Sequence, residues 1–142
     1  DVDANAFEAQ DVDAKIADKA IKSVGAKATV DEVCKAGDKG YVITTTDKEG
    51  YGGDIQITVG ITSDGTVNGI SILSISETAG LGMKAKEPKF YNQYKGKKAE
   101  KFVVSKDGGD GEQIDAISGA TITSRAVTGA VNVALAYYQN AF

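Results

Sequence analysis

The chain of 142 residues has no histidine, no tryptophan, one cysteine and one proline. Lack of histidine excludes a Ser-His-Asp triad, and a single thiol excludes structural zinc sites, cysteine-ligated iron–sulfur clusters and c-type haem, because those sites need imidazole or several thiolates. Any redox chemistry here therefore depends on an organic cofactor. Cys34 cannot form a disulfide within the chain, and we expect it to be a small buried hydrophobic residue.

A strong excess of one charge and a long apolar run are also missing. Sixteen basic and twenty acidic residues give a formal net charge of −4, so we expect no nucleic-acid partner. The lysine-rich stretch 95–101 is typical of a solvated loop or strand edge. No run approaches the roughly 18 apolar residues of a membrane helix, and no signal-peptide pattern is present. We expect one domain, residues 1–142, excised from a membrane-anchored parent.

Hydrophobic periodicity in the first half predicts a helix followed by strands. Apolar residues at helical spacing predict an amphipathic helix over 11–24, ended by Gly25. Alternating or β-branched runs predict strands at 29–34, 41–46, 55–61 and 67–75. The last alternation changes phase at Leu73, which predicts a β-bulge.

The second half has weaker strand signals and one long helical pattern. Pro88 is expected to open a short helix that ends at Tyr94, and 102–104 is a short strand. Residues 107–111 are expected to form a flexible loop whose acidic residues do not match a calcium loop. The pattern over 122–141 predicts a helix with almost no charge, buried against the sheet. Together these elements predict an α/β (α+β) fold, with a mixed or antiparallel sheet packed by the C-terminal helix and edged by the N-terminal one.

Residues 115–125 lead into that last helix and are rich in hydroxyl groups. Four hydroxyls stand within seven positions, on Ser118, Thr121, Thr123 and Ser124. Serine and threonine are common N-caps, which explains at least one of them. The helix start also favours an anion, because its first N–H groups converge where Gly119 and Ala120 let the backbone come close. Such a site contributes about 1–2 kcal/mol, whereas micromolar binding needs about 8 kcal/mol.

This segment resembles the flavinylation motif of the FMN-binding domain family, which includes the FMN-bearing subunits of Rnf-type and sodium-translocating NADH:quinone oxidoreductase complexes. In that family the threonine that ends Ser-Gly-Ala-Thr is joined through its oxygen to the FMN phosphate. The matching residue here is Thr121. Because the ester would hold the cofactor, the site would only need to orient the phosphate.

Two further segments resemble the Rnf-type subunit in order and spacing. Gly50-Tyr51-Gly52-Gly53 precedes an alternating strand, and Glu77-Thr78-Ala79-Gly80-Leu81-Gly82 follows the next one. The likeness extends from about Tyr41 to Tyr138. Ala79 stands where the family usually has proline, and the family's N-terminal membrane helix is not in this sequence. That second difference leaves membership of a complex open, but not flavin attachment.

The resemblance implies cofactor contacts from two segments. One surrounds Thr121 and comprises Ser118, Gly119, Ala120, Ile122 and Thr123. The other comprises Glu77, Thr78, Gly80, Leu81 and Gly82. Gly80 to Gly82 would lie near the isoalloxazine, with Leu81 as an apolar contact, although a plain surface turn is the alternative.

Three roles at the motif stay open at this point. Asp115 would hold the motif or help a flavin transferase recognise it, or would only order the loop. Arg125 would pair with the phosphate or lie exposed on the helix. With Thr121 esterified, Thr123 or Ser124 is expected to cap the helix.

The resemblance implies electron transfer through covalently attached FMN, by a subunit of a membrane-bound ion-translocating oxidoreductase rather than by an enzyme alone. Its implied partners are a flavin transferase and neighbouring redox subunits. Its implied location is the extracytoplasmic face of a bacterial cell membrane, reached through an anchor outside this sequence. Two alternatives remain: a flavin-delivering domain of an extracellular reductase, and a binding or structural module without cofactor whose hydroxyls are only caps.

Overall fold

A computed structural model describes residues 7–10, 12–25, 27–36, 40–48, 54–75, 88–97, 101–104, 111–116 and 121–141. The elements are β1 (Phe7–Gln10), α1 (Ala14–Val24), β2 (Ala28–Ala36), β3 (Gly40–Asp47), β4 (Ile55–Thr62), β5 (Val67–Ile75), α2 (Pro88–Tyr91), β6 (Phe102–Val104), β7 (Glu112–Ile114) and α3 (Thr121–Ala141). Strands β1 to β5 form an antiparallel sheet in that order, and β6 pairs with β7 in parallel. The predicted α+β class, with a helix near each end of the chain, is confirmed.

Helix α1 begins three residues later than predicted because Asp13 caps it. The Asp13 carboxylate accepts the backbone N–H groups of Lys15 and Ile16 at 2.9 and 3.2 Å. The helix ends where Gly25 takes a left-handed conformation with φ 76°, as the sequence predicts. The backbone N–H of Asp13 also donates to the Tyr137 hydroxyl at 3.0 Å. The start of α1 is thereby tied to α3.

Strand β4 shows the predicted alternation most clearly. All its inward side chains are fully buried, namely Ile55, Ile57, Val59 and Ile61. The predicted bulge in β5 is also confirmed: Ile57 pairs with Ile72 and Gln56 with Ser74, so Leu73 has no partner and is 54% exposed. The change of apolar phase in the sequence thus marks the extra residue.

Helix α3 covers one face of the sheet. Its fully or almost fully buried apolar residues are Val127, Ala130, Val131, Val133, Ala134 and Leu135. At its far end the Tyr138 hydroxyl donates to the carbonyl of Ser63 in the β4–β5 turn at 3.0 Å. Tyr138 also meets the Tyr41 ring edge-on at 6.1 Å. No helix within the described residues has the length and apolar character needed to cross a membrane.

The second short helix and the lysine-rich stretch largely follow the predictions. Helix α2 continues as one 3₁₀ turn over Asn92–Tyr94, so the helical segment ends at the predicted residue. Lys95 and Lys97 are exposed. The Lys97 carbonyl accepts the Val67 N–H at 2.8 Å, and the Lys97 side chain forms an exposed ion pair with Glu112 at 3.2 Å. This part of the stretch is a solvated edge, whereas residues 98–100 and the predicted loop at 107–110 lie outside the described residues.

The prediction that Cys34 is buried is wrong. Cys34 is only half-buried on β2, because its neighbour Val33 takes the fully buried face and successive side chains of a strand point to opposite faces. Its thiol donates to the Glu32 carboxylate at 3.4 Å. Partial burial and, to a smaller extent, Glu32 raise the pKa of the Cys34 thiol above its usual value.

We expect Cys34 to react slowly with alkylating reagents at neutral pH. A raised pKa leaves less thiolate, and the thiolate is the nucleophile. The pH dependence of the alkylation rate should give an apparent pKa above that of the same thiol in the urea-unfolded chain. Glu32→Gln removes the carboxylate charge and should lower this apparent pKa. An apparent pKa at or below that of the unfolded chain would contradict the prediction.

Candidate functional site

The hydroxyl-rich segment enters the described structure at the first residue of α3. Thr121 opens the helix and is partly exposed, and Ile122 is 47% exposed. Thr123 and Ser124 are 1% and 0% exposed. The prediction that Thr123 or Ser124 caps α3 is wrong, because an N-cap precedes the first helical residue. Among the described hydroxyls of this segment, Thr121 is therefore the one that a bulky group can reach.

The electrostatics of this helix start suit an anion. The first turn of α3 carries no acidic residue, so no side chain of that turn offsets the positive end of a 21-residue helix. Arg125 is exposed and follows Thr121 by four residues, a spacing that places both on one side of the helix. Thr121 thus lies at the helix N-terminus, on the same side of α3 as Arg125.

A cavity of about 250 Å³ lies beside this turn, lined by Asp47, Ile122, Arg125 and Ala126. Asp47 ends β3 and is 1% exposed. Its position follows from Thr45, two residues earlier, whose hydroxyl donates to the carbonyl of Ala130 at 3.0 Å and holds β3 against α3. Asp47 was not among the predicted site residues. No sequence pattern marks it, because the buried positions 43, 44, 45 and 47 of β3 do not alternate.

Three segments of the sheet come together at the same end as this cavity. Asp47 pairs with Ile55, and Ile55 pairs with Ile75, so the ends of β3 and β5 and the start of β4 lie side by side. The chain continues from these points into the glycine-rich patch 50–53 and the loop 77–82. Both lie outside the described residues, as do Ser118, Gly119 and Ala120. Contacts of Glu77, Thr78, Gly80, Leu81 and Gly82 with a cofactor therefore remain predictions.

A buried chain of hydrogen bonds supports the first turns of α3. The Thr128 hydroxyl donates to the carbonyl of Ser124 at 2.8 Å, so the hydroxyl of Tyr94 donates to the Thr128 oxygen, also at 2.8 Å. Tyr94 is fully buried between Phe90 and Phe102, with ring centroids 5.9 and 5.0 Å away. Burial raises the pKa of the Tyr94 hydroxyl well above its usual value, so it stays a neutral donor.

We expect Thr128→Val to destabilise the protein more than Tyr94→Phe. The valine would leave the Tyr94 hydroxyl buried without a partner, at about 2–3 kcal/mol, whereas the phenylalanine leaves Thr128 its bond to Ser124 and costs about 1 kcal/mol. The double variant should recover part of the loss. Urea denaturation of the three variants measures this order, and an equal or larger cost for Tyr94→Phe would contradict it.

Two side-chain amides hold the backbone, one at Asp115 before the hydroxyl-rich segment and one at Phe102 in β6. Gln93 accepts the N–H of Asp115 at 2.7 Å and donates to its carbonyl at 3.0 Å. Asn132 does the same for Phe102, at 2.7 and 2.8 Å. The Asp115 side chain is exposed, so its role in holding the motif or in recognition remains a prediction. Neither amide was predicted, because a single polar residue carries no periodic signal.

Comparisons with known proteins identify the family of this chain. The FMN-binding domain family model matches residues 50–136, more than half of the 142-residue chain. The chain is 42% identical over 106 residues to the G subunit of the Na(+)-translocating ferredoxin:NAD(+) oxidoreductase complex of Acetobacterium woodii, covering 71% of this chain and 50% of that protein. It is 46% identical over 95 residues to the G subunit of the proton-translocating ferredoxin:NAD(+) oxidoreductase complex of Clostridium ljungdahlii, covering 67% and 51%. The chain thus spans about half the length of the curated relatives that it matches.

Solved structures show the same fold. The C subunit of the Na(+)-translocating NADH-quinone reductase from Parabacteroides distasonis superposes with a TM-score of 0.62 at 28% identity, covering 77% of this chain and 60% of that chain. NqrC from Shewanella oneidensis gives a TM-score of 0.59 at 26% identity, covering 77% and 58%. The family expected from the sequence is confirmed, and this chain belongs to the FMN-binding domain family.

Proposed function

We propose that this chain carries FMN as a phosphoester on Thr121 and transfers electrons, as the FMN-bearing part of a membrane-bound ion-translocating oxidoreductase. The observation that supports this most is the placement of Thr121 as the partly exposed hydroxyl at the start of α3, while Thr123 and Ser124 are buried. The family match and the names of the relatives support the cofactor and the kind of complex.

The described residues fit an FMN phosphoester. An esterified phosphate keeps one negative charge, which the N-terminus of α3 and Arg125 would stabilise. Ile122 and Ala126 offer apolar surface in the adjoining cavity. The flavin supplies the electron-accepting and electron-donating chemistry, so no general acid or base is assigned. Held by a covalent bond, the cofactor does not depend on the affinity of this small cavity.

Attachment and assembly involve other proteins in this proposal. A separate flavin transferase would join the Thr121 oxygen to the phosphorus of an activated FMN donor. The bond from that phosphorus to the donor's leaving group breaks, and the hydroxyl proton of Thr121 leaves with the released group. The chain's mass then rises by one FMN less one water. Neighbouring redox subunits would deliver and remove electrons at the extracytoplasmic face of a bacterial cell membrane. The relatives named as complex subunits support the redox partners.

The direct test is co-expression with a flavin transferase of this family. We expect the purified chain to show the mass of one added FMN less water, and a visible flavin spectrum that dithionite bleaches and air restores. Without the transferase the mass should be that of the bare chain. An unmodified chain, alongside full modification of a known substrate of the same transferase, would overturn the proposal.

A further inference from the structure

We propose that Gln93 is a positioning residue for flavin attachment, because it holds the backbone at Asp115 and so helps to present Thr121 to the transferase. The inference rests on the proposed attachment at Thr121. It assigns a role to a side chain on the turn that follows α2, outside the hydroxyl-rich segment. In this role Gln93 acts through the Asp115 backbone rather than on the reacting atoms.

The two hydrogen bonds of Gln93 continue the pairing of β7 by one residue. Within the described residues, the pairing of β7 with β6 ends where Ile114 meets Val104. At the next residue the Gln93 amide accepts the N–H of Asp115 at 2.7 Å and donates to its carbonyl at 3.0 Å. A carboxamide carries both an acceptor oxygen and a donor nitrogen, so it can pair with both groups as a neighbouring strand would.

Gln93 is suited to this role because its own turn is anchored in the core. Its neighbour Tyr94 is fully buried and bonds to the Thr128 hydroxyl on α3 at 2.8 Å. Just after the turn, Gly96 donates its N–H to the carbonyl of Val67 at 2.7 Å. The turn is thus tied to both α3 and β5, so the Gln93 side chain extends from a fixed backbone.

The short chain length between Asp115 and Thr121 makes the two positions depend on each other. Asp115 precedes Thr121 by six positions, and six residues span about 20 Å at most. The Thr121 end is set by α3, because Thr123 and Ser124 in its first turn are buried. The Asp115 end is held by Gln93. Fixing both ends of a short stretch limits the conformations open to it, so releasing one end increases their number.

The expected effect on attachment follows from the cost of ordering a substrate. The transferase has to bind the stretch in a conformation that brings the Thr121 oxygen to the phosphorus of its donor. Ordering a backbone on binding costs free energy, and a substrate that is held in advance avoids part of this cost. Loss of the Gln93 amide should therefore weaken binding of the chain and leave the chemical step unchanged, which raises KM at a constant kcat.

The test is the kinetics of flavin attachment to the purified bare chain by a transferase of this family, with FAD as the donor and AMP as the leaving group. We expect Gln93→Ala to raise the KM for the chain about fivefold and to keep kcat within about twofold of wild type. Fivefold corresponds to about 1 kcal/mol, the net contribution of one hydrogen bond. Exchange of the Asp115 amide hydrogen, measured by NMR, should become faster because this N–H loses its acceptor.

The matched control is Gln139→Ala, the same change at an exposed position near the other end of α3, which should alter neither measurement. An unchanged KM for Gln93→Ala, or a loss confined to kcat, would overturn the inference but not the attachment. A raised KM with unchanged exchange at Asp115 would also overturn it, because Gln93 would then contact the transferase directly. If Gln93→Ala does not fold, Gln93→Met decides by the same measurements, since methionine keeps the side-chain length without the amide. A wild-type chain that accepts no flavin would instead overturn the proposed function.

Discussion

Thr121→Ala is expected to abolish flavin attachment, reducing it from near-complete modification to none. Alanine has no oxygen with which to form the ester. Because Thr121 is partly exposed at the helix start and alanine is a good helix former, the free energy of unfolding should change by only about 0.5 kcal/mol. Intact mass after co-expression measures the first effect, and urea denaturation the second.

Two matched variants separate attachment from folding at this segment. Thr121→Ser keeps a hydroxyl and should retain attachment, although at a reduced rate. Thr123→Ala removes a hydroxyl that is 1% exposed, and the variant should still carry one flavin. Full modification of Thr121→Ala, or loss of modification in Thr123→Ala alone, would show that the wrong hydroxyl has been assigned.

Asn132→Ala should cause the largest loss of stability among the single changes considered. The Asn132 amide satisfies both the N–H and the carbonyl of Phe102, whose side chain is 1% exposed. Removing the amide leaves two part-buried backbone groups without their side-chain partner. We expect a cost of about 2–4 kcal/mol, since each unsatisfied group costs about 1–3 kcal/mol.

Asn140 provides the control for this prediction on the same helix. Its amide donates to the carbonyl of Ala136 at 2.7 Å, but Asn140 itself is exposed. Asn140→Ala should therefore change the free energy of unfolding by no more than about 0.5 kcal/mol. Equal costs for the two variants in urea denaturation would rule out the proposed anchoring of β6 by Asn132.

The main elements of the fold were predictable because their signals are local. Apolar and polar residues alternate over the whole length of β4, and the apolar residues of α1 and α3 recur at helical spacing. In β5 the alternation shifts by one residue at Leu73, which is where the β-bulge lies. Strands β1 and β7 were not predicted. Each is only 3 or 4 residues long, and β7 pairs in parallel with a strand ten positions earlier. A pairing of that kind depends on the fold around it rather than on a local pattern.

At the candidate site, the sequence indicated the proposed attachment residue but not the residues around it. Thr121 lies in a recognisable motif, whereas Asp47, Gln93 and Asn132 gain their roles from contacts with distant parts of the chain. Cys34 was misjudged for a related reason. The face on which a strand residue lies depends on how the sheet packs, and Val33 took the buried face.

Tandem mass spectrometry of peptides from chain co-expressed with the transferase can locate the flavin on a single residue. We expect FMN on Thr121, in the peptide that includes Ser118, Thr123 and Ser124. Flavin located on any of those three other hydroxyls, or a fully unmodified peptide beside a modified control substrate, would contradict it.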